Sequence, residues 1–143
     1  MNLPANSILD IDDEHPYRCS MEKQMDINAL IRAMKARPDF AKVGMVLCHN
    51  GIVRGTSRDG KAVSGVRVTA DYAELEKILT EQRIRPGIVD IQVRVNEGEL
   101  KVGDDLLLIA VAGDIREHVI PVLTDTLNAV KARVTRKSEH GLD

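Results

Sequence analysis

Aromatic side chains are nearly missing from this 143-residue chain: Tyr17, Tyr72 and Phe40 are all it has, and tryptophan is absent. Proteins that grip bases or flat heterocycles by stacking supply several aromatic faces. A planar ligand here must therefore be held mainly by hydrogen bonds and charge. Cysteine is as scarce, and Cys19 and Cys48 make no disulfide framework. His15, His49, His118 and His140 are scattered, and neither they nor any CxxC pair has metal-ligand spacing. A reduced, cytoplasmic setting fits this usage. No run approaches the roughly 20 apolar residues of a membrane span. The N-terminus lacks the basic-then-apolar order of a secretory signal. An excess of one charge is missing too, with 20 Lys+Arg against 22 Asp+Glu. Phosphate backbones generally require an extended basic face, so nucleic acid is not an expected partner.

What is present is an ordinary globular composition, 43% apolar and 29% charged, at a length that fits one domain. Residues 1–20 differ from the rest. They carry Asp10, Asp12, Asp13 and Glu14 against a single Arg18, and read as an acidic extension, flexible or laid over the surface. The domain then spans 21–143, with Met21 as an alternative start.

Asp26 is a good N-cap for a helix whose Ile27, Leu30, Ile31 and Met34 recur at i, i+3, i+4, i+7, closed by Pro38. Val43–Cys48 reads as a buried strand, interrupted by His49-Asn50-Gly51 and resumed at Ile52-Val53-Arg54. Arg54–Lys61 is a Gly/Ser/cation-rich loop turning at Asp59-Gly60, and Ala62–Ala70 alternates as a half-buried strand. Asp71 with Glu74 opens a second helix that buries Leu75, Ile78 and Leu79 and ends before Pro86-Gly87. Residues 88–95 alternate cleanly, Asn96–Asp104 turns on Gly98 and Gly103, and Leu106–Val111 is apolar throughout, as in a central strand covered on both faces. A last helix from about Asp114 to Arg133 is expected to bury Ile115, Val119, Val122, Leu123, Leu127 and Val130, with Pro121 in its first two turns. Without a repeated strand–helix unit, this order indicates α+β, helices packed on a largely antiparallel sheet.

The chemistry concentrates in cations. Lys131-Ala-Arg133-Val-Thr-Arg136-Lys137 holds four in seven residues with no acid among them. Such a cluster suits a compact anion, and equally complements a helix C-terminus by about 0.3–1 kcal/mol per cation. Gly51-Ile-Val-Arg54 and Gly113-Asp-Ile-Arg116 bring further glycines and arginines together, the latter at a helix start, where free N–H groups favour anions.

The order of these features over residues 40–139 resembles the large, catalytic subunit of molybdopterin synthase. The matching motifs are Val43-Gly44, Gly51-Ile-Val-Arg54, Gly98-Glu99-Leu100 with Gly103-Asp104, Gly113-Asp-Ile-Arg116, and Asn128-Ala-Val-Lys131 with Lys137-Ser-Glu139. The resemblance implies an α/β hammerhead fold and a cytoplasmic homodimer, a heterotetramer with its carrier. The partner is a small ubiquitin-like sulfur carrier ending in Gly-Gly. Its thiocarboxylate delivers sulfur to cyclic pyranopterin monophosphate, an anionic pterin, and two deliveries make the dithiolene of molybdopterin. No cofactor, metal, nucleic acid or membrane is implied.

By position, Lys131 matches the lysine most closely tied to catalysis and Lys137 a second pocket lysine. Arg54 and Arg116 match arginines lining the anionic substrate site, and Glu139 the acid after the second lysine. Arg133 and Arg136 are expected to join the substrate-binding set. A cyclic phosphate suits guanidinium forks, and a lysine ringed by Arg54, Arg116, Arg133 and Arg136 is expected to be made less basic by like charge. Three departures accompany the match. Ile115 stands where the family has histidine, Val95-Asn96-Glu97 replaces its His-Arg, and Val134-Thr135-Arg136 replaces its aromatics. A second reading is thus a catalytically impaired homologue acting as a dimeric carrier-binding or regulatory module, and a third an unrelated anion-binding protein.

Overall fold

The computed structural model describes residues 16–20 and 25–141. The acidic run at 10–14 and Met21 lie outside the described residues. Among the described residues three helices and six strands follow one another: α1 (Ile27–Lys35), β1 (Met45–Ile52), β2 (Val63–Ala70), α2 (Tyr72–Arg83), β3 (Ile88–Val95), β4 (Gly98–Lys101), β5 (Asp105–Gly113), α3 (Arg116–Arg133) and β6 (Thr135–Gly141), with a short 3-10 turn at Phe40–Lys42. The strands form two antiparallel sheets, ordered β1-β5-β3 and β4-β2-β6. The α+β class is therefore as expected, and no helix among the described residues is long and apolar enough to cross a membrane.

The apolar run of β5 explains the architecture. Leu107, Ile109 and Val111 face one side, where they join Ile91 and Val93 of β3, Val66 and Val68 of β2, Leu75 and Leu79 of α2, and Val119, Val122 and Val130 of α3. Leu108, Ala110 and Ala112 face the other side, against Leu30 and Met34 of α1. Two small alanines there give α1 a close seat. A strand between two cores must be apolar at every position.

The helix starts follow their caps. Asp26 Oδ1 accepts from the Asn28 N–H at 2.9 Å, and Asp71 Oδ1 from the Glu74 N–H at 3.1 Å. At the start of α3, Ile115 is extended and 49% exposed, not buried as expected. Asp114 just before it takes both the Ile115 N–H, at 2.7 Å, and His118 Nδ1, at 2.8 Å.

Three further differences from the sequence expectation matter for the site. β1 runs unbroken through His49-Asn50-Gly51, and its irregularity is a bulge between Gly51 and Ile52 that turns Ile52 outward. The Asn96–Asp104 turn contains a strand, β4, paired with β2 over Gly65–Val68. Gly98, the first residue of β4, and Gly103, just past its end, have φ of 105° and 95°, in the left-handed region where a side chain is strained. Finally, the cationic tail is not one helix end. α3 stops at Arg133, and after Val134 the chain reverses into β6, which pairs with β2 from Ala70↔Thr135 to Val63↔Gly141.

Residues 16–20 lie along the edge of β3. Val95 donates its N–H to the Tyr17 carbonyl at 2.7 Å, and Cys19 returns one to the Val95 carbonyl at 2.8 Å. Glu97 anchors this corner, accepting from the Tyr72 hydroxyl at 2.7 Å and the Ala70 N–H at 3.2 Å, with Arg18 at 3.5 Å. Burial and the bond to Glu97 push the Tyr72 hydroxyl's pKa well up. Glu97→Ala strips three donors of one acceptor, so it should lower stability by about 1–3 kcal/mol in urea unfolding. An unchanged midpoint would show that water replaces the carboxylate at no cost.

Candidate functional site

The one-residue elbow at Val134 creates the site. It sets Lys131, in the last turn of α3, beside Lys137, the third residue of β6. Side chains on a strand alternate, so Lys137 and Glu139 lie on the face that β2 covers with Val68 and Val66, their register partners. From the other sheet the exit of β1 brings Arg54, whose Nε donates to the Thr56 carbonyl at 2.9 Å. The following loop closes on itself, with the Ser57 N–H donating to the Lys61 carbonyl at 2.8 Å and the Ser57 hydroxyl bonded to Asp59, and presents Arg58.

These groups line a cavity of about 560 Å³, in which Arg54, Arg58, Lys131 and Lys137 face a single carboxylate, Glu139. Glu139 stands 3.8 Å from Lys137 Nζ. A smaller cavity of about 250 Å³ adjoins it, sharing Ile52, Arg58, Leu106, Lys131 and Lys137 and adding His49 and Gly51 of β1, Val68, Leu107 and Thr135. Lys131 and Lys137 border both spaces. The lining is cationic with apolar walls, suited to an anionic guest with an uncharged body.

Arg54, Lys131, Lys137 and Glu139 are thus brought together. Arg116 is not: it lies in a separate shallow cleft with Gly44 and Asp114, its Nε 3.4 Å from Glu117 and its side chain 78% exposed. Arg133 turns toward α2, where its guanidinium meets Glu74 Oε1 at 2.6 and 2.8 Å. Arg136, opposite Thr69, is on the other face of β6 from Lys137. The expected ring of Arg54, Arg116, Arg133 and Arg136 around Lys131 is therefore not formed within the chain. Of those four arginines Arg54 shares the cavity with Lys131, where Arg58 and Lys137 join it.

Two lining residues escape the sequence reading. Arg58 carries a visible signal, a cation in a Gly/Ser loop four residues past Arg54, but no periodicity singles it out. His49 has none, because a lone histidine has no spacing to another ligand-type residue that would mark it. Its Nε2 is buried with no hydrogen-bond partner among the described residues. Burial, and then the charge of Lys131, hold its pKa below the usual histidine range. No side chain fits easily at Gly51, where a Cβ would stand 3.0 Å from that nitrogen. No group of three or more potential metal-ligating side chains occurs among the described residues.

Solved structures share this arrangement of elements. Molybdopterin synthase from Staphylococcus aureus superposes with a TM-score of 0.72 at 19% identity, covering 89% of this chain and 91% of that one. Molybdopterin cofactor biosynthesis protein E from Burkholderia multivorans gives 0.68 at 26% identity, over 87% of this chain and 85% of that one. A chain from the complex of subunits 1 and 2 of the molybdopterin-converting factor of Helicobacter pylori gives 0.62 at 18%, over 80% and 78%. No curated protein matches the sequence. The family model described as MoaE protein matches residues 20–133, most of the chain, and with the fold and pocket just described this places the chain in the MoaE family.

Proposed function

We propose that this protein acts in molybdopterin biosynthesis as the large subunit of a molybdopterin synthase, a sulfurtransferase. It moves sulfur from the thiocarboxylated Gly-Gly terminus of a small ubiquitin-like carrier to cyclic pyranopterin monophosphate. The observation that carries this reading is the gathering of Arg54, Arg58, Lys131 and Lys137 around one cavity in a member of the MoaE family. Arg54 and Arg58 supply guanidinium forks for the cyclic phosphate, and Lys137 a compact third cation whose partner Glu139 holds it in place. Lys131 borders both cavities, so its amine reaches a guest that occupies either. There it serves proton transfer or transient covalent attachment.

The protein is further proposed to work as a homodimer bound to two carriers. The matched Helicobacter pylori chain comes from a complex of the two subunits, which supports a small carrier as partner. Arg116 lies outside the pocket of its own protomer, so it can serve an anion there only from a second copy.

The test is reconstitution. Purified protein, thiocarboxylated carrier and cyclic pterin should yield molybdopterin, and light scattering should report a dimer. Carrier binding without product would replace this reading with that of a docking or regulatory module, in keeping with Ile115 and Val134-Thr135-Arg136 at motif positions. Failure of both would remove the assignment.

A further inference from the structure

His49 has no place in the chemistry above, yet it lines the smaller cavity beside Lys131. A buried polar atom without a partner is costly, and such atoms in native proteins usually await water or a ligand. The Nε2 of His49 is such an atom, close to Gly51, and both residues line the cavity that Lys131 borders. The charged groups that share the cavity are Lys131 from α3, Lys137 from β6 and Arg58 from the loop. The neighbouring strands present Val68, Leu106 and Leu107, and among the described residues no carboxylate lines it. Glu139 belongs to the larger cavity, beside Lys137.

We propose that His49 is an additional ligand-contacting residue: an oxyanion seated beside Lys131 accepts a hydrogen bond from its Nε2–H, and the imidazole takes up a proton from solvent as the anion binds. The inference rests on the anion-pocket reading and deepens it. Its physical basis is a balance of charges. In the empty pocket the imidazolium is disfavoured first by burial and then by Lys131. A bound anion offsets the charge of Lys131 and gives Nε2–H an acceptor, so both effects favour the protonated ring. By linkage, a ligand that promotes protonation binds more tightly as pH falls through the titration of that group.

Sodium sulfate is a suitable probe, because it stays a dianion from about pH 5 to about pH 8 while histidine titrates there. Wild-type protein should bind sulfate about three- to ten-fold more tightly at the acid end. His49→Gln and His49→Phe should flatten that ratio. Histidine-ring NMR of the unmodified protein needs no variant, and there the His49 titration should move to higher pH as sulfate saturates. An unmoved titration, or a His49→Gln protein with the full wild-type ratio, would overturn the role of His49 and leave the pocket reading intact. Sulfate that binds at neither pH would reject the anion pocket, and His49 with it.

Discussion

Lys131→Ala should reduce molybdopterin formation by about a hundred- to ten-thousand-fold, the range lost when a positioned proton-transfer group is removed. Lys131 borders both cavities, and its neighbours Arg58 and Lys137 sit on other elements. No other amine projects from the end of α3, because the remaining cation there, Arg133, is held by Glu74. The fold should survive, since the side chain emerges on an exposed turn and the core contact of that turn is Val130. Single-turnover product formation beside a thermal melt separates the two effects. Lys131→Arg sharpens the test, for it keeps the positive charge but replaces the amine with a guanidinium that stays protonated. If charge alone matters, Lys131→Arg recovers most of the rate; if the amine matters, it stays near the alanine level. Lys137→Ala should chiefly weaken pterin binding, raising KM more than it lowers kcat. A fully active Lys131→Ala protein would remove this lysine from the chemistry.

The second large effect concerns stability. Ile109→Ala should cost about 2–5 kcal/mol and lower Tm by roughly 6–15 °C. Ile109 is fully buried at the middle of β5, opposite His49 on one neighbouring strand and Val93 on the other. No nearby chain end or loop can collapse into the space left behind, because strands flank it on both sides and α3 covers it. The same truncation loosens the seat of His49. A loss below about 1 kcal/mol would mean that the two sheets repack more freely than their shared core implies.

Elements that bury a regular face were legible in the sequence. The helices α1 and α2 show their caps and apolar stripes, β3 shows strict alternation, and β5 reads as the strand between two cores. The parts that build the pocket were not. β6 (Thr135–Gly141) has no apolar alternation because one face meets water and the other lines a polar cavity. β4 is four residues of an edge, too short to show a period. The polar triplet His49-Asn50-Gly51 looks like a break in β1, yet its backbone stays paired with Leu107, Leu108 and Ile109. The site residues divide the same way. Arg54, Lys131, Lys137 and Glu139 were read from a family resemblance, and the fold joins them. The placement of Arg116, Arg133 and Arg136 depends on which way a helix or strand faces, which charge composition does not reveal. In the same way, Glu97, a departure from the family motif by sequence, proves to be the clamp that ties Arg18 and Tyr72 to the sheet.

The single residue between α3 and β6 makes the pocket sensitive to odd and even changes of length. Adding one residue at Val134, with the pairing to β2 kept in place, would swing Lys137 to the solvent side and bring Arg136 in, exchanging an ammonium for a guanidinium at one stroke. Adding two would restore the original facing but slide Thr135 into the place of the cation. The cavity can therefore change its anion-gripping group through insertions in this link alone, with every core residue left as it is.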